Sequence, residues 1–296
     1  MPTATSNGQR VLLLGAHGHV GRALQRNVPD NVHLTALGSA DADIRDGAKL
    51  SEIIAALRPT TVINCAAIAK VDVAERDPEG AASLNAHAPR QLATIAHTHK
   101  ARLIHLSTDY VFDGASGRPY LTTSPTSPIN VYGRTKADGE AGVLDADESA
   151  VVLRTAWVHS ELAPNFVRLV CDHVARGEPM RVVDDQVSTP THAGNLAHAI
   201  WRLVDRRDVT GILHFTDGGM ASRYDAAVAT ATMAARRGQF ADGAEIIPVP
   251  SNEMTSATQR PLYSVLDKHS SWDAIDYVPP HWTDGVARTV GEFLDA

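Results

Sequence analysis

A chain of 296 residues, 44% hydrophobic and 21% charged, has room for one large α/β domain or for a nucleotide-binding domain with a smaller lobe, and is neither disordered nor fibrous in composition. Its formal net charge of -7 excludes nonspecific nucleic-acid binding, which needs a basic surface to displace counterions from phosphates. Two cysteines imply no disulfide framework, the polar opening MPTATSNGQR lacks a signal peptide's apolar core, and no apolar run nears the roughly 20 residues of a membrane span, so a soluble cytoplasmic protein without a membrane partner is expected.

In chain order, residues 11–14, 32–37, 61–66, 102–107 and 151–158 are short apolar runs that predict five strands, and residues 47–58 and 78–100 predict two crossover helices. The runs are continuous rather than alternating, as in strands buried on both faces. They predict an α/β fold with a Rossmann-type doubly wound parallel sheet. After the fifth strand the regular alternation weakens. The polar stretch 184–191 leads into a helix at 193–204, a strand at 211–216, a helix at 222–237 and a strand at 245–249. The expected division is a dinucleotide-binding domain over residues 1–160 and a smaller, mainly substrate-binding lobe over 161–296, with the chain re-crossing between them.

The first strand runs into Gly15-Ala16-His17-Gly18-His19-Val20-Gly21, and a helix follows. Glycines let such a loop turn tightly and approach a pyrophosphate, while the helix N-terminus offers free N–H groups and positive dipole charge. Three glycines in an ordinary turn is the competing reading, weakened by the strand before and the helix after. Selectivity for NAD normally needs an acid at the end of the second strand. Here that strand ends Leu37-Gly38-Ser39, and the first acids, Asp41 and Asp43, come later. NADP(H) is therefore expected, with Arg22 the nearest basic candidate and NADH the alternative.

Tyr132 and Lys136 form a YxxxK pair on one helix face. A free tyrosine has a pKa of about 10 and needs a nearby cation to act near neutral pH, which Lys136 would supply. The bland alternative is a surface pair on an amphipathic helix. Ser107-Thr108-Asp109-Tyr110 at the carboxyl end of the fourth strand adds weight to the catalytic reading, because active sites of open α/β sheets lie there.

Taken together, the glycine loop, Ile63-Asn64-Cys65-Ala66-Ala67, Ser107-Thr108-Asp109-Tyr110-Val111-Phe112-Asp113-Gly114, Asn130-Val131-Tyr132-Gly133-Arg134-Thr135-Lys136 and Arg260-Pro261 resemble the dTDP-4-dehydrorhamnose reductase family of the extended short-chain dehydrogenase/reductases. The resemblance covers nearly the whole chain. It implies NADPH-dependent reduction of the C4 keto group of a nucleotide-linked 6-deoxysugar, most closely dTDP-4-dehydrorhamnose to dTDP-rhamnose or a related deoxysugar. It also implies a catalytic trio of Thr108, Tyr132 and Lys136. Cofactor contacts are implied for Gly15, Gly18, His19, Val20 and Gly21, for Asp43 and Ile44, for Ala66 and Ala67, and for Tyr110 and Lys136. Val71, Asp109 and Trp157 are implied at the substrate, Trp157 being equally readable as a buried core aromatic.

Departures from the family pattern fall at Trp157-Val158-His159-Ser160, where WVYG is common, and at Arg260-Pro261-Leu262-Tyr263-Ser264, where RPxNS is common. Some family members dimerise through a glutamate-held magnesium ion. Ala23 stands at one of those glutamate positions, so that metal-bridged dimer is not expected, and the chain is read as a monomer or homodimer. The fourteen histidines, His97 and His99 among them, show no helical metal-binding spacing, and no metal site is expected. Two other functions compete: a non-catalytic NADP-binding regulatory subunit, and an epimerase or dehydratase with tightly held NAD. The intact Thr108, Tyr132 and Lys136 favour a reductase, and no glutamate follows Asp109 as a dehydratase would need.

Overall fold

The computed structural model describes residues 8–162, 164–238, 241, 243–254 and 258–295; residues 1–7 of the polar opening segment lie outside them. The first half alternates β1 (Gln9–Leu14), α1 (His19–Arg26), β2 (Val32–Leu37), α2 (Gly47–Leu57), β3 (Thr61–Asn64), α3 (Val71–Arg76), α4 (Pro78–Ala82), α5 (Ala88–Thr98), β4 (Arg102–Thr108), α6 (Val131–Ala146) and β5 (Val151–Thr155). Then come β6 (Val158–His159), α7 (Phe166–Arg176), β7 (Met180–Val183), β8 (Val187–Ser188), β9 (Thr191–His192), α8 (Ala193–Asp205) and β10 (Gly211–His214). The chain closes with β11 (Ala221–Ser222), α9 (Arg223–Arg236), β12 (Ile246–Val249), α10 (His269–Ile275) and α11 (Trp282–Leu294).

Six parallel strands form the main sheet in the order β10-β5-β4-β3-β1-β2. From β1 the chain builds first to one side and then to the other, so the carboxyl ends of β1 and β3 frame the crevice where such sheets bind ligands. Leu12 and Leu14 enter one core layer with Ile54, Leu92 and Leu103, while Val11 and Leu13 enter the other with Leu196, Ile200 and Phe215. Burial on both faces explains the continuous apolar runs, and each fully buried aliphatic side chain contributes roughly 1.5–3 kcal/mol. A third cluster joins α7, α9 and α11 through Val170, Val174, Ala227, Ala231, Val286 and Val290. No helix among the described residues is long and apolar enough to cross a membrane.

Several predicted boundaries change. The expected strand 151–158 breaks after Thr155: Trp157 takes a left-handed backbone, φ 43°, and Val158–His159 turns away to pair with Thr191–His192. The expected helix 78–100 contains a π turn at Ser83–His87. Pro89 has no N–H to return to the Asn85 carbonyl, which favours this local widening. The strand expected at 211–216 ends at His214 and lies in the main sheet beside β5, with Gly211 opposite Val151. Helix α8 likewise packs under that sheet, where Trp201 Nε1 donates to the Leu24 carbonyl at 3.3 Å. Helices α3, α7, α10 and α11 and strands β7, β8, β9 and β11 have no counterpart in the sequence reading.

Candidate active site

A cavity of about 390 Å³ opens at the carboxyl ends of β1, β3, β4 and β5. Its floor is the glycine loop. Gly15 has φ 82°, and a Cβ there would stand 2.6 Å from Ala66 N; at Gly21 a Cβ would stand 2.3 Å from the Gly15 carbonyl oxygen. Gly18 is the N-cap of α1, without a side-chain cap among the described residues, so the N–H groups of the first helical turn remain free for an anion. His19, Val20, Ala66 and Ala67 line the same cavity. His19 also ties the helix to the loop after β6, with Nδ1 2.8 Å from Ser160 Oγ. A side chain at Gly18 would have only the Gly15 carbonyl oxygen nearby, at 3.6 Å, and would fill the cradle itself. These residues fit a dinucleotide diphosphate.

At the end of β2, the exposed Asp41 folds one carboxylate oxygen back to accept from Gly38 N at 3.1 Å. The His17 ring covers Gly38 so closely that a Cβ there would lie 2.4 Å from it, and Arg22 Nε donates to the His17 carbonyl at 3.2 Å. One oxygen of this carboxylate is thus engaged, and His17 and Arg22 stand close to the end of β2. Asp43 and Ile44, also expected at the cofactor, are outside the cavity lining. Ile44 belongs to the core, and Asp43 pairs with Arg45 at 2.5 Å.

The cavity brings together Thr108, Tyr132 and Lys136. Helix α6 starts at Asn130, whose side chain caps Gly133 N at 2.8 Å. Gly133 lets α6 press onto the loop after β4, since a Cβ would fall 2.1 Å from the Tyr110 carbonyl oxygen. The rings of Tyr110 and Tyr132 therefore meet edge to face, with centroids 6.0 Å apart. Thr108 Oγ donates to Asp109 Oδ1 at 3.1 Å and accepts from Tyr110 N at 3.2 Å. Asp109 Oδ2 accepts from Ser188 Oγ at 2.9 Å and Ser264 Oγ at 2.5 Å. Burial raises the Asp109 carboxyl to about 6 against the pull of these donors.

The Lys136 charge, expected to steady a Tyr132 phenolate, is turned toward β4. The ammonium donates to the Leu106 carbonyl at 2.6 Å and faces His105 Nε2 at 3.2 Å, and desolvation lowers it to about 8. Burial pushes the Tyr132 hydroxyl above its ordinary value, opposed by a hydrogen bond with Thr108 and assisted by the charge of Asp109. With the lysine turned toward β4, desolvation outweighs stabilisation of a phenolate.

Val71 and Trp157 line the cavity as well, and Trp157 is only partly buried. Its left-handed turn aims the indole at Arg223, whose guanidinium carbon sits 3.9 Å from the ring centroid. Arg223, Ser188 and Ser264 were missed by sequence reasoning, because their partners lie far away along the chain. So was a group formed by Glu161, His192 and Glu292, whose potential metal-ligating atoms lie within 4.8 Å of one another. Both carboxylates of that group already meet arginines, Arg26 and Arg288, and none of the three residues lines the Tyr132 cavity.

Residues 9–294 match the family described as the RmlD substrate binding domain. The chain is 38% identical to a dTDP-4-keto-6-deoxy-D-glucose reductase of Streptomyces niveus, across 94% of this chain and 96% of that protein. It is 40% identical to a probable dTDP-4,6-dihydroxy-2-methyloxan-3-one 4-ketoreductase of Streptomyces antibioticus, across 97% and 96%. The fold superposes on the dTDP-4-dehydrorhamnose reductase of Bacillus anthracis in complex with NADP with a TM-score of 0.89 and 27% identity, covering 97% of this chain and 99% of that one. The chain belongs to the dTDP-4-dehydrorhamnose reductase family.

Proposed function

We propose that this protein is an NADPH-dependent reductase of the C4 keto group of a dTDP-linked 6-deoxy-4-ketosugar, such as dTDP-4-dehydrorhamnose, acting in the cytoplasm as a monomer or homodimer. The observation that carries the reading is the meeting of Thr108, Tyr132 and Lys136 in one cavity with the glycine cradle. The two Streptomyces relatives are named for different sugars, and both names place the reduced ketone at position 4.

Bound NADPH supplies the hydride. Gly18, His19 and Val20 would hold its diphosphate at the start of α1, and Lys136 its nicotinamide ribose. Tyr132 keeps its proton in the resting enzyme, because burial raises its pKa, and releases it to the oxygen that gains negative charge as the carbonyl carbon is reduced. Thr108 positions that oxygen. Val71 and Trp157 provide apolar walls for the sugar. Positioning and a preorganised donor are together the main resources of such a site.

The test is oxidation of NADPH on addition of dTDP-4-keto-6-deoxyglucose, with NADH assayed in parallel. Turnover with a preference for NADPH is expected. Tight NADPH binding with no turnover on any dTDP-4-ketosugar would instead identify a non-catalytic NADP-binding subunit.

A further inference from the structure

Arg223 opens α9, and its side chain stands where the two principal cavities meet. Among the described residues it alone lines both the Tyr132 cavity and a larger one of about 1130 Å³, bounded by Met180, Arg181, Gln186 and Arg260. Its guanidinium carbon lies 3.9 Å from the Trp157 ring centroid and 5.0 Å from that of Phe166, so aromatic faces hold it across the passage. Of the three other cations of the larger cavity, Arg181 meets Glu253 at 2.6 Å, Arg260 meets Asp72 at 3.1 Å, and Arg76 is exposed and donates to the Asp72 carbonyl at 3.0 Å. Arg223 forms no salt bridge among the described residues and hydrogen-bonds the Tyr110 side chain. Asp109 attracts it from farther off, but that carboxylate is already bonded by Thr108, Ser188 and Ser264. Burial lowers the Arg223 pKa from its ordinary value, as expected for a charge without full compensation.

We propose that Arg223 grips the sugar-linked phosphate of the substrate and makes the site specific for a nucleoside diphosphate over a monophosphate. The assignment rests on the ketosugar reading above. With the C4 oxygen at Tyr132, C1 lies on the opposite side of the pyranose ring and faces away from the catalytic wall. The diphosphate attached to C1 must then pass from the smaller cavity into the larger one, which takes the nucleoside. A planar guanidinium at that crossing matches two phosphate oxygens through parallel N–H donors, a geometry an ammonium does not reproduce.

Calorimetric titration of dTDP, dTMP and NADPH into the wild-type enzyme, Arg223→Gln and Arg223→Lys tests this. The wild type should bind dTDP more tightly than dTMP. Arg223→Gln should weaken dTDP roughly 10- to 100-fold, the range for a lost charged hydrogen-bonding partner, while dTMP and NADPH change by less than about twofold. Arg223→Lys should recover part of the loss, and should still show the selective weakening of dTDP if the glutamine variant does not fold. In the ketosugar assay KM should rise more than kcat falls. Equal weakening of dTDP and dTMP, a loss confined to NADPH, or no change would overturn the assignment. Failure of the wild type to bind dTDP at all would overturn the nucleotide-sugar reading and the assignment with it, whereas tight wild-type binding that Arg223→Gln leaves intact would overturn the assignment alone.

Discussion

Thr108 has one proton to give, and both Asp109 Oδ1, at 3.1 Å, and the Tyr132 oxygen stand to accept it. The threonine oxygen is left with lone pairs for Tyr110 N–H, and its contact with Tyr132 completes a chain from carboxylate to phenol. Removing only the phenolic hydroxyl tests the end of that chain. Tyr132→Phe keeps the ring that packs against Tyr110, so it should fold and bind NADPH nearly as the wild type does, yet lose about 10²–10⁴-fold in kcat. Near-wild-type turnover of a confirmed ketosugar would exclude Tyr132 as the proton donor. Asp109 makes a prediction about pH. Its folded pKa, about 6, lies above the ordinary 3.8, so the folded state holds this proton more strongly than the unfolded chain. Its contribution to stability is full below about pH 4 and is lost as pH rises through about 6. In Asp109→Asn that loss is removed. The difference in Tm, variant minus wild type, should therefore grow between pH 4 and pH 7, while kcat falls because an amide, with one acceptor oxygen, cannot accept from Thr108 on one side and from Ser188 and Ser264 on the other. A pH-independent Tm difference would contradict this account.

Helix α6 holds Tyr132 and Lys136 in place by touching backbone, and Gly133 is the contact. A Cβ at that position would stand 2.1 Å from the Tyr110 carbonyl oxygen, and backbone cannot swing aside as a side chain can. Gly133→Ala should cost roughly 1–3 kcal/mol of stability in urea unfolding and lower kcat by displacing Tyr132, although alanine is the better helix former. Unchanged kcat and stability would mean that α6 can shift freely. The neighbouring loop is held as firmly: Asn85 donates to the Ile68 carbonyl at 3.1 Å and to Thr135 Oγ at 3.2 Å, linking the segment after β3 to α6. Strand β5 contributes through its interruption. The left-handed turn at Trp157 carries an indole into the cavity that a continued strand would have aimed elsewhere.

At the scale of the molecule, the second half of the chain reaches into the catalytic end of the first. Ser188 and Ser264 both donate to Asp109, and Lys268 binds the Thr189 and Thr216 hydroxyls together with the Asp217 and Gly219 carbonyls, fixing the segments that carry those donors. The Glu161, His192 and Glu292 group lies apart from the Tyr132 cavity, and its carboxylates are occupied by arginines. Turnover should consequently survive exhaustive treatment with EDTA. Loss of activity on chelation, restored by magnesium, would show that this group or another serves the reaction.

By itself the sequence determined the features set by local spacing. The glycine loop between a strand and a helix, the i,i+4 relation of Tyr132 and Lys136, and the unbroken apolar runs of the central strands all act over a few residues, where backbone geometry dictates which side chains share a face. The tertiary structure decided what depends on distant partners. Ser188 and Ser264 meet Asp109 across 79 and 155 residues, β10 returns to the main sheet beside β5, and Arg223 reaches Trp157 only once α9 has docked. It also decided the direction in which Lys136 points, because the pull of the Leu106 carbonyl and His105 depends on how α6 packs against β4 rather than on the four residues that separate lysine from tyrosine.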